Sequence, residues 1–509
     1  MSAILAIDQG TTGTTCMGVD RTGAVRGRAY SEFQQHFPRP GWVEHDADEI
    51  WQVTVRVAQQ AMAAADAVVG GARAEPDAVE VVGIGITNQR ETVVLWDRET
   101  GRPVHHAIVW QDRRTAPRCR QLAADGAEPL IRSRTGLVID PYFSGTKLEW
   151  LLDNVPDARA RARAGELAAG TIDSWLIWNL TGGRVHATDP TNASRTLLYN
   201  IGSRSWDDAL LDLLTVPRAI LPEVRPSSGV FGECDASLFG GPLPVAGVAG
   251  DQQAALFGQG CWKPGLAKNT YGTGAFLLLH TGDEPIASGR GLLTTIACDA
   301  AGQPAYALEG AIFVAGAAVQ WLRDGLGVVA AAAETGRMAA ELESNDGVYF
   351  VPAFVGLGAP HWQPEARGTL VGLTRGTDAR HLARAALEAM AYSTDDVLKA
   401  MEQDSGVEAQ ELAVDGGATS NDWMMQFQAD ILDLPVRRPH NLETTALGAA
   451  GLAGLATGVW PDAETFLASR PDPDRFGPMM READRRTLLR GWRRAVSTAL
   501  HWAEAYEDA

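Results

Sequence analysis

Ile4-Leu5-Ala6-Ile7 runs into Asp8-Gln9-Gly10-Thr11-Thr12-Gly13-Thr14-Thr15 and on to Cys16-Met17-Gly18-Val19-Asp20. An apolar run, a glycine- and hydroxyl-rich turn and a second apolar run predict an antiparallel hairpin, and Arg21-Thr22-Gly23-Ala24-Val25 turns the chain into a third strand. The same order returns at Leu266-Ala267-Lys268-Asn269-Thr270-Tyr271-Gly272-Thr273-Gly274-Ala275, followed by Phe276-Leu277-Leu278-Leu279-His280. Two halves that open alike point to a duplicated unit. A third version is expected between Val81 and Trp96, adding another hairpin to the first half. Helical spacing of apolar residues after Asp48 and from Ala379 to Met401 follows these strands, so each half reads as α/β. The boundary is expected near Gly258-Gln259-Gly260, giving domains 1–258 and 259–509, and Arg485 to Ala509 reads as a terminal helix.

Composition narrows the class. The 509 residues are 45% hydrophobic and 21% charged, enough for large buried cores and against global disorder. Lys and Arg total 44 against 63 Asp and Glu, a net charge of −19. Such a chain repels phosphate backbones and anionic membrane surfaces, so nucleic acid is not an expected partner. Five dispersed cysteines with no C-x-x-C pair suggest neither a disulfide framework nor a cysteine zinc site, and fit a reducing, cytoplasmic setting. The opening residues lack the basic start of a signal peptide. The longest apolar stretch, Gly310 to Leu322, is 13 residues, short of the roughly 20 a bilayer demands, so no membrane insertion is expected.

Three strand-to-turn elements could carry chemistry. At Asp8-Gln9-Gly10-Thr11-Thr12 a tight turn offers N–H groups and hydroxyls to phosphate oxygens, with the carboxylate available to a water-bound Mg²⁺; an ordinary polar turn has the same composition. At Val248-Ala249-Gly250-Asp251-Gln252-Gln253 an acid at the C-terminal edge of a strand opens a helix, as an N-cap or as a catalytic carboxylate. At Val414-Asp415-Gly416-Gly417-Ala418-Thr419-Ser420-Asn421 adjacent glycines let a nucleotide approach the backbone ahead of a helix N-terminus, or serve only the turn. Neither G-x-x-x-x-G-K-[ST] nor G-x-G-x-x-G is present.

Taken together, and with Pro40-Gly41-Trp42-Val43-Glu44-His45-Asp46, Gly85-Ile86-Thr87-Asn88-Gln89-Arg90-Glu91-Thr92, Ile108-Val109-Trp110-Gln111 and Asp140-Pro141-Tyr142-Phe143-Ser144-Gly145-Thr146-Lys147, these elements resemble the FGGY family of carbohydrate kinases along nearly the whole chain. The resemblance implies two α/β domains of the actin-like ATPase, ribonuclease H-like type with a cleft between them. It also implies ATP and Mg²⁺ as cofactors and, from the Arg-Glu, Trp, Asp-Pro-Tyr and Gly-Asp-Gln-Gln stretches, glycerol as substrate. By that resemblance Arg90, Glu91, Tyr142, Asp251 and Gln252 hydrogen-bond glycerol, Trp110 and Phe276 wall its carbons, and Asp251 is the catalytic base. Thr11, Thr12 and Gly13 would meet the phosphates, with Thr273 in the second turn, Gly316 and Gln320 on the far side, Gly417 and Asn421 at the adenosine, and Asp8 at the metal. Relatives usually carry Arg where this chain has Thr15, so one cationic phosphate contact is missing.

Arg90 and Glu91 are sequence neighbours, which on a regular strand face opposite ways. If both touch substrate, the strand must bend or end there; otherwise they form a surface ion pair. The rival readings are a sibling kinase for a tetritol, pentulose or gluconate, and an ATPase of the actin and chaperone type. A homodimer or homotetramer is compatible with all of these.

Overall fold

The computed structural model describes residues 1–69 and 79–507. Two seven-stranded sheets form its frame. In the first, the order is Ser228–Glu233, Pro244–Gly250, Val79–Asn88, Ser2–Gln9, Gly13–Asp20 and Val25–Glu32, with Ala67–Val69 also paired to Val79–Asn88. In the second it is Leu293–Cys298, Pro304–Ile312, Ala275–Gly282, Leu266–Tyr271, Glu411–Asp415, Val436–Arg438 and Asp474–Phe476.

The two sheets repeat one plan. Each opening hairpin is antiparallel, and its first strand pairs in parallel with a later one: Ser2–Gln9 with Val79–Asn88, and Leu266–Tyr271 with Glu411–Asp415. The expected duplication is thus present as topology, and the fold is the two-domain α/β type that the sequence implied. The third hairpin does not form. Val79–Asn88 stays in the first sheet, whereas Val93–Asp97 joins a separate five-stranded sheet beside Leu167–Thr171, because the chain turns away between them.

Two helices occupy the seam between the sheets. Asp251–Gly258 follows strand Pro244–Gly250, and Thr444–Thr457, from the last quarter of the chain, lies against it and against the first sheet. One core therefore joins Ile4, Ala6, Val19 and Ala249 to Leu447, Ala450 and Phe466. The helix Thr444–Thr457 is built of Ala, Gly and Leu, so backbones can approach closely. A Cβ on Gly448 would run into the carbonyl of Ala254, which only glycine avoids. The terminal helix spans Glu482–Glu507. Among the described residues no helix is long and apolar enough to cross a membrane.

Candidate active site

Strand Val79–Asn88 ends at Asn88, and Gln89-Arg90-Glu91-Thr92 crosses to Val93–Asp97 off the sheet. Released from strand alternation, Arg90 and Glu91 both turn inward, each 2% exposed. A surface ion pair is excluded. Arg90 grips Glu309, on strand Pro304–Ile312 of the second sheet, with Nη1 at 2.6 Å and Nη2 at 3.0 Å. Its Nη2 also donates to the Tyr142 hydroxyl at 3.3 Å, and its Nε lies 3.3 Å from Asp251 Oδ1. The approach to Glu91 is longer, at 3.6 Å. Glu91 is held instead by Arg195, whose Nε donates to it at 2.8 Å and whose Nη2 donates to Glu309 at 3.0 Å. Two arginines and two glutamates thus alternate in a buried square, which is how charges persist away from water.

Asp251 stands at the start of helix Asp251–Gly258, its side chain 34% exposed and its Oδ1 accepting the Gln252 N–H at 2.7 Å. Burial raises its carboxyl above the ordinary carboxylate range, opposed by Arg90 and reinforced by Glu91. Beside it, Lys268 Nζ donates to Gln252 Oε1 and to Thr270 Oγ1, the latter at 2.8 Å. With its oxygen held by an ammonium, the Gln252 amide has its NH₂ left to donate. Burial pushes Lys268 down to about 8.

Trp110 and Tyr142 meet edge to face at 5.5 Å, and the Trp110 indole N–H donates to Thr11 Oγ1 at 2.9 Å, tying the aromatic wall to the first turn. Phe276 is half-buried in the second sheet. It lies opposite Ala311, two residues along the strand from Glu309, and so shares the face that Glu309 presents.

A second group of residues gathers in a cleft of about 780 Å³ in the C-terminal half. Thr273, Gly316, Gln320, Gly417 and Asn421 all line it, with Met390 and Trp423 adding apolar wall. Gly416 sits at φ 90° with its α-carbon pressed on the Tyr271 backbone, a conformation and an approach that a side chain forbids. At Gly417 a Cβ would meet nothing within 4 Å, so that backbone faces open space. Asn421 Oδ1 accepts the Met424 N–H at 3.1 Å and thereby caps helix Asp422–Leu432.

Thr11, Thr12 and Gly13 lie outside that cleft, in the hairpin turn of the first half, which the Gly10 N–H closes on the Gly13 carbonyl at 2.9 Å. Asp8 is near the end of its strand, and its carboxylate accepts no hydrogen bond among the described residues. Its carboxyl is raised to about 8, by burial first and then by Asp251 and Glu443.

Comparison with known proteins settles which family uses this plan. The model of the FGGY family of carbohydrate kinases, N-terminal domain, matches residues 3–258, and the C-terminal domain model matches residues 267–457. The chain belongs to the FGGY family of carbohydrate kinases. A glycerol kinase of Deinococcus radiodurans is 56% identical to this kinase over 504 residues, 99% of each chain. One from Trichlorobacter lovleyi is also 56% identical over 504 residues, 99% of this chain and all of the other. Among solved structures, Plasmodium falciparum glycerol kinase with ADP is 35% identical and superposes with a TM-score of 0.92 over 98% of both chains.

Four buried side chains around these candidate residues were given no role from the sequence: Glu309, Arg195, Lys268 and Lys147. Lys147 is fully buried, donates to the carbonyls of Glu91, Tyr142 and Phe143 at 3.2, 2.5 and 3.3 Å, and is pushed down to about 7 by burial. For Glu309 the available signal was a lone charge in the largely apolar strand Pro304–Ile312, since such residues are buried only when paired; Lys268 stands beside Asn269 and Thr270 and gave no such signal.

The raised Asp251 carboxyl has a kinetic signature. A base works only when deprotonated, and a raised value moves loss of the carboxylate to higher pH. With Asp251 as the base that the family resemblance implies, the acid limb of kcat/KM for the acceptor is expected to fall at a pH above 3.8, the ordinary value for Asp. A pH–rate profile flat down to that value would remove Asp251 from the base role.

Proposed function

We propose that this kinase transfers the γ-phosphoryl group of ATP to the 3-hydroxyl of glycerol, giving sn-glycerol 3-phosphate and ADP. The observation that carries the reading is the convergence of Arg90, Tyr142, Asp251 and the Lys268-held Gln252 on one polar corner of the interdomain cleft. Three hydroxyls on three carbons bury little apolar area. Selectivity must then come from donors and acceptors that a wrong substrate would leave unpaired, and this corner supplies both. The curated relatives that match over nearly full length are named glycerol kinases, in line with that chemistry.

In this reading Arg90, Glu91, Tyr142 and the Gln252 NH₂ bind the hydroxyls, while Trp110 and Phe276 flank the carbons. Asp251 orients the reacting hydroxyl and takes its proton as the phosphoryl group arrives. With a loose transition state the proton leaves late, so positioning matters more than basicity. The 780 Å³ cleft at Thr273, Gly316, Gln320, Gly417 and Asn421 would take the nucleotide, and Thr11, Thr12 and Gly13 would reach its phosphates from the first half. Residues 1–258 would thus serve glycerol and phosphate, and 259–509 the nucleotide.

Asp8 fits a cation. Its carboxylate is half-buried with no hydrogen-bond donor among the described residues, close to Asp251 and Glu443, and a divalent ion would relieve that repulsion. No group of three or more metal-ligating side chains is found among the described residues. That suits Mg²⁺, which keeps most of its waters and binds through one or two carboxylates plus substrate phosphates. Bound there, Mg²⁺ would neutralise charge on the β- and γ-phosphates. The five cysteines are all buried and free, consistent with a cytoplasmic enzyme.

The test is a substrate panel with ADP release as readout. Glycerol is expected to support turnover with kcat/KM at least about 10²-fold above erythritol, xylulose or gluconate, since each misplaced hydroxyl leaves a buried partner unpaired. Equal rates with a pentulose, or ADP release independent of any acceptor, would sink the reading.

A further inference from the structure

At the far end of strand Gly13–Asp20 from the Thr11–Thr12 turn, roughly 25 Å away by strand rise, the turn at Gly23 packs against the C-terminal half. A cavity of about 990 Å³ opens there, lined by Thr22, Val25, Arg437, His440, Asn441 and Arg470 among others. It lies outside both the glycerol corner and the nucleotide cleft. Arg470 stacks over Phe466 at 4.8 Å, and its side chain packs against Gly23. Its guanidinium makes no hydrogen bond or ion pair among the described residues, and its Nε is buried without a partner.

The other charges around the cavity are largely spoken for. Arg437 and Arg475 share one carboxylate, that of Glu411, at 2.6 and 3.0 Å. Glu464 is 3.3 Å from Lys263, and Asp472 is exposed. The lining thus sets three arginines against three carboxylates, and Arg470 is the arginine that none of those carboxylates reaches among the described residues. Asn441 Oδ1 accepts the Glu443 N–H at 3.0 Å, which leaves its NH₂ as a neutral donor. Burial and the nearby Arg437 lower Arg470 to about 10, as expected for a cation lacking a counter-charge.

We propose that this seam cavity binds a small organic phosphate, with the phosphate group on Arg470 and Asn441 and the body of the ligand against Val25, Leu447 and Leu467. A phosphate suits the site because its several oxygens can meet a guanidinium fork and neutral donors together. The cavity is far larger than an inorganic ion, and its apolar wall has a use only if the ligand carries carbon. Because Gly23 belongs to the first half and Arg470 to the second, the ligand bridges the two. The inference does not rest on the glycerol assignment.

The experiment is calorimetric titration of the full-length enzyme with inorganic phosphate and, separately, with a hexose monophosphate. Parent, Arg470→Gln, Arg470→Lys and Asn441→Asp proteins are compared. Phosphate binding at the catalytic cleft is common to all four, so the difference isolates the seam. The parent is expected to bind the hexose monophosphate at least about tenfold more tightly than inorganic phosphate. Arg470→Gln and Asn441→Asp should each weaken that binding at least about tenfold, with Arg470→Lys between. Turnover in phosphate-free buffer should stay within twofold in every variant, which also shows that each is folded; if Arg470→Gln fails this check, Asn441→Asp alone decides. Identical titrations in parent and variants would overturn the site, and equal affinity for both probes would overturn the organic ligand.

Discussion

Replacing Asp251 by Asn is expected to lower turnover by about 10²–10⁴-fold while glycerol still binds with near-parental affinity. The amide keeps the shape of the carboxylate, and its oxygen can still accept from the Gln252 N–H and face the Arg90 guanidinium, now at 2.7 and 3.3 Å. What it loses is the capacity to take a proton. Single-turnover measurements with saturating glycerol separate this chemistry from binding and product release. Turnover within tenfold of the parent would show that the hydroxyl needs no base here, and that Arg90 and Gln252 position it well enough.

Glu309→Ala should damage the fold as well as the site. Its carboxylate serves Arg90 and Arg195 together across the two sheets, and all three residues are at most 2% exposed. Removing it takes from Arg90 its nearest carboxylate and leaves Arg195 with Glu91 alone, and deleting one partner of such a buried set costs about 3–5 kcal/mol of stability. Proximity to the arginines holds Glu309 down to about 2 against the effect of burial, so it is ionised throughout the neutral range. Equilibrium denaturation reads the loss, and KM for glycerol should rise because Arg90 is no longer fixed. Glu309→Gln, which retains the volume and one acceptor, should lie between. A stability change under about 1 kcal/mol for Glu309→Ala would mean that water enters and solvates the arginines, and that the square is not a structural clamp.

What could be read before the structure was mostly local in sequence. The Asp8 to Thr15 turn, the second hairpin at Leu266 and the Gly416-Gly417 turn each announce themselves within about ten residues, because turn chemistry is short-range. The Arg90-Glu91 problem was legible as a problem: two neighbours that both face inward require a strand end, and the strand ends at Asn88. The missed hairpin has the same origin, since the break that frees those side chains also sends Val93–Asp97 to another sheet. Five proposed nucleotide residues do line one cleft, although spread from Thr273 to Asn421. The partners were hidden by distance along the chain. Arg90 finds Glu309 219 residues away, and nothing near either residue signals the other. The helix Thr444–Thr457 was equally opaque. Its small apolar residues run all the way round, so no single face points to a neighbour.

That helix also sets the timetable on which the protein can be made. Strands of the first sheet are complete once residue 250 has been synthesised, but the side of that sheet carrying Ile4, Ala6, Val19 and Ala249 waits for Leu447 and Ala450. At ribosomal rates the wait is about 10–40 s. Through that interval the nascent chain carries an uncovered apolar face. Closing that face falls to the carboxyl-terminal half, so the packing of the first sheet is finished only when the last quarter of the chain has been made.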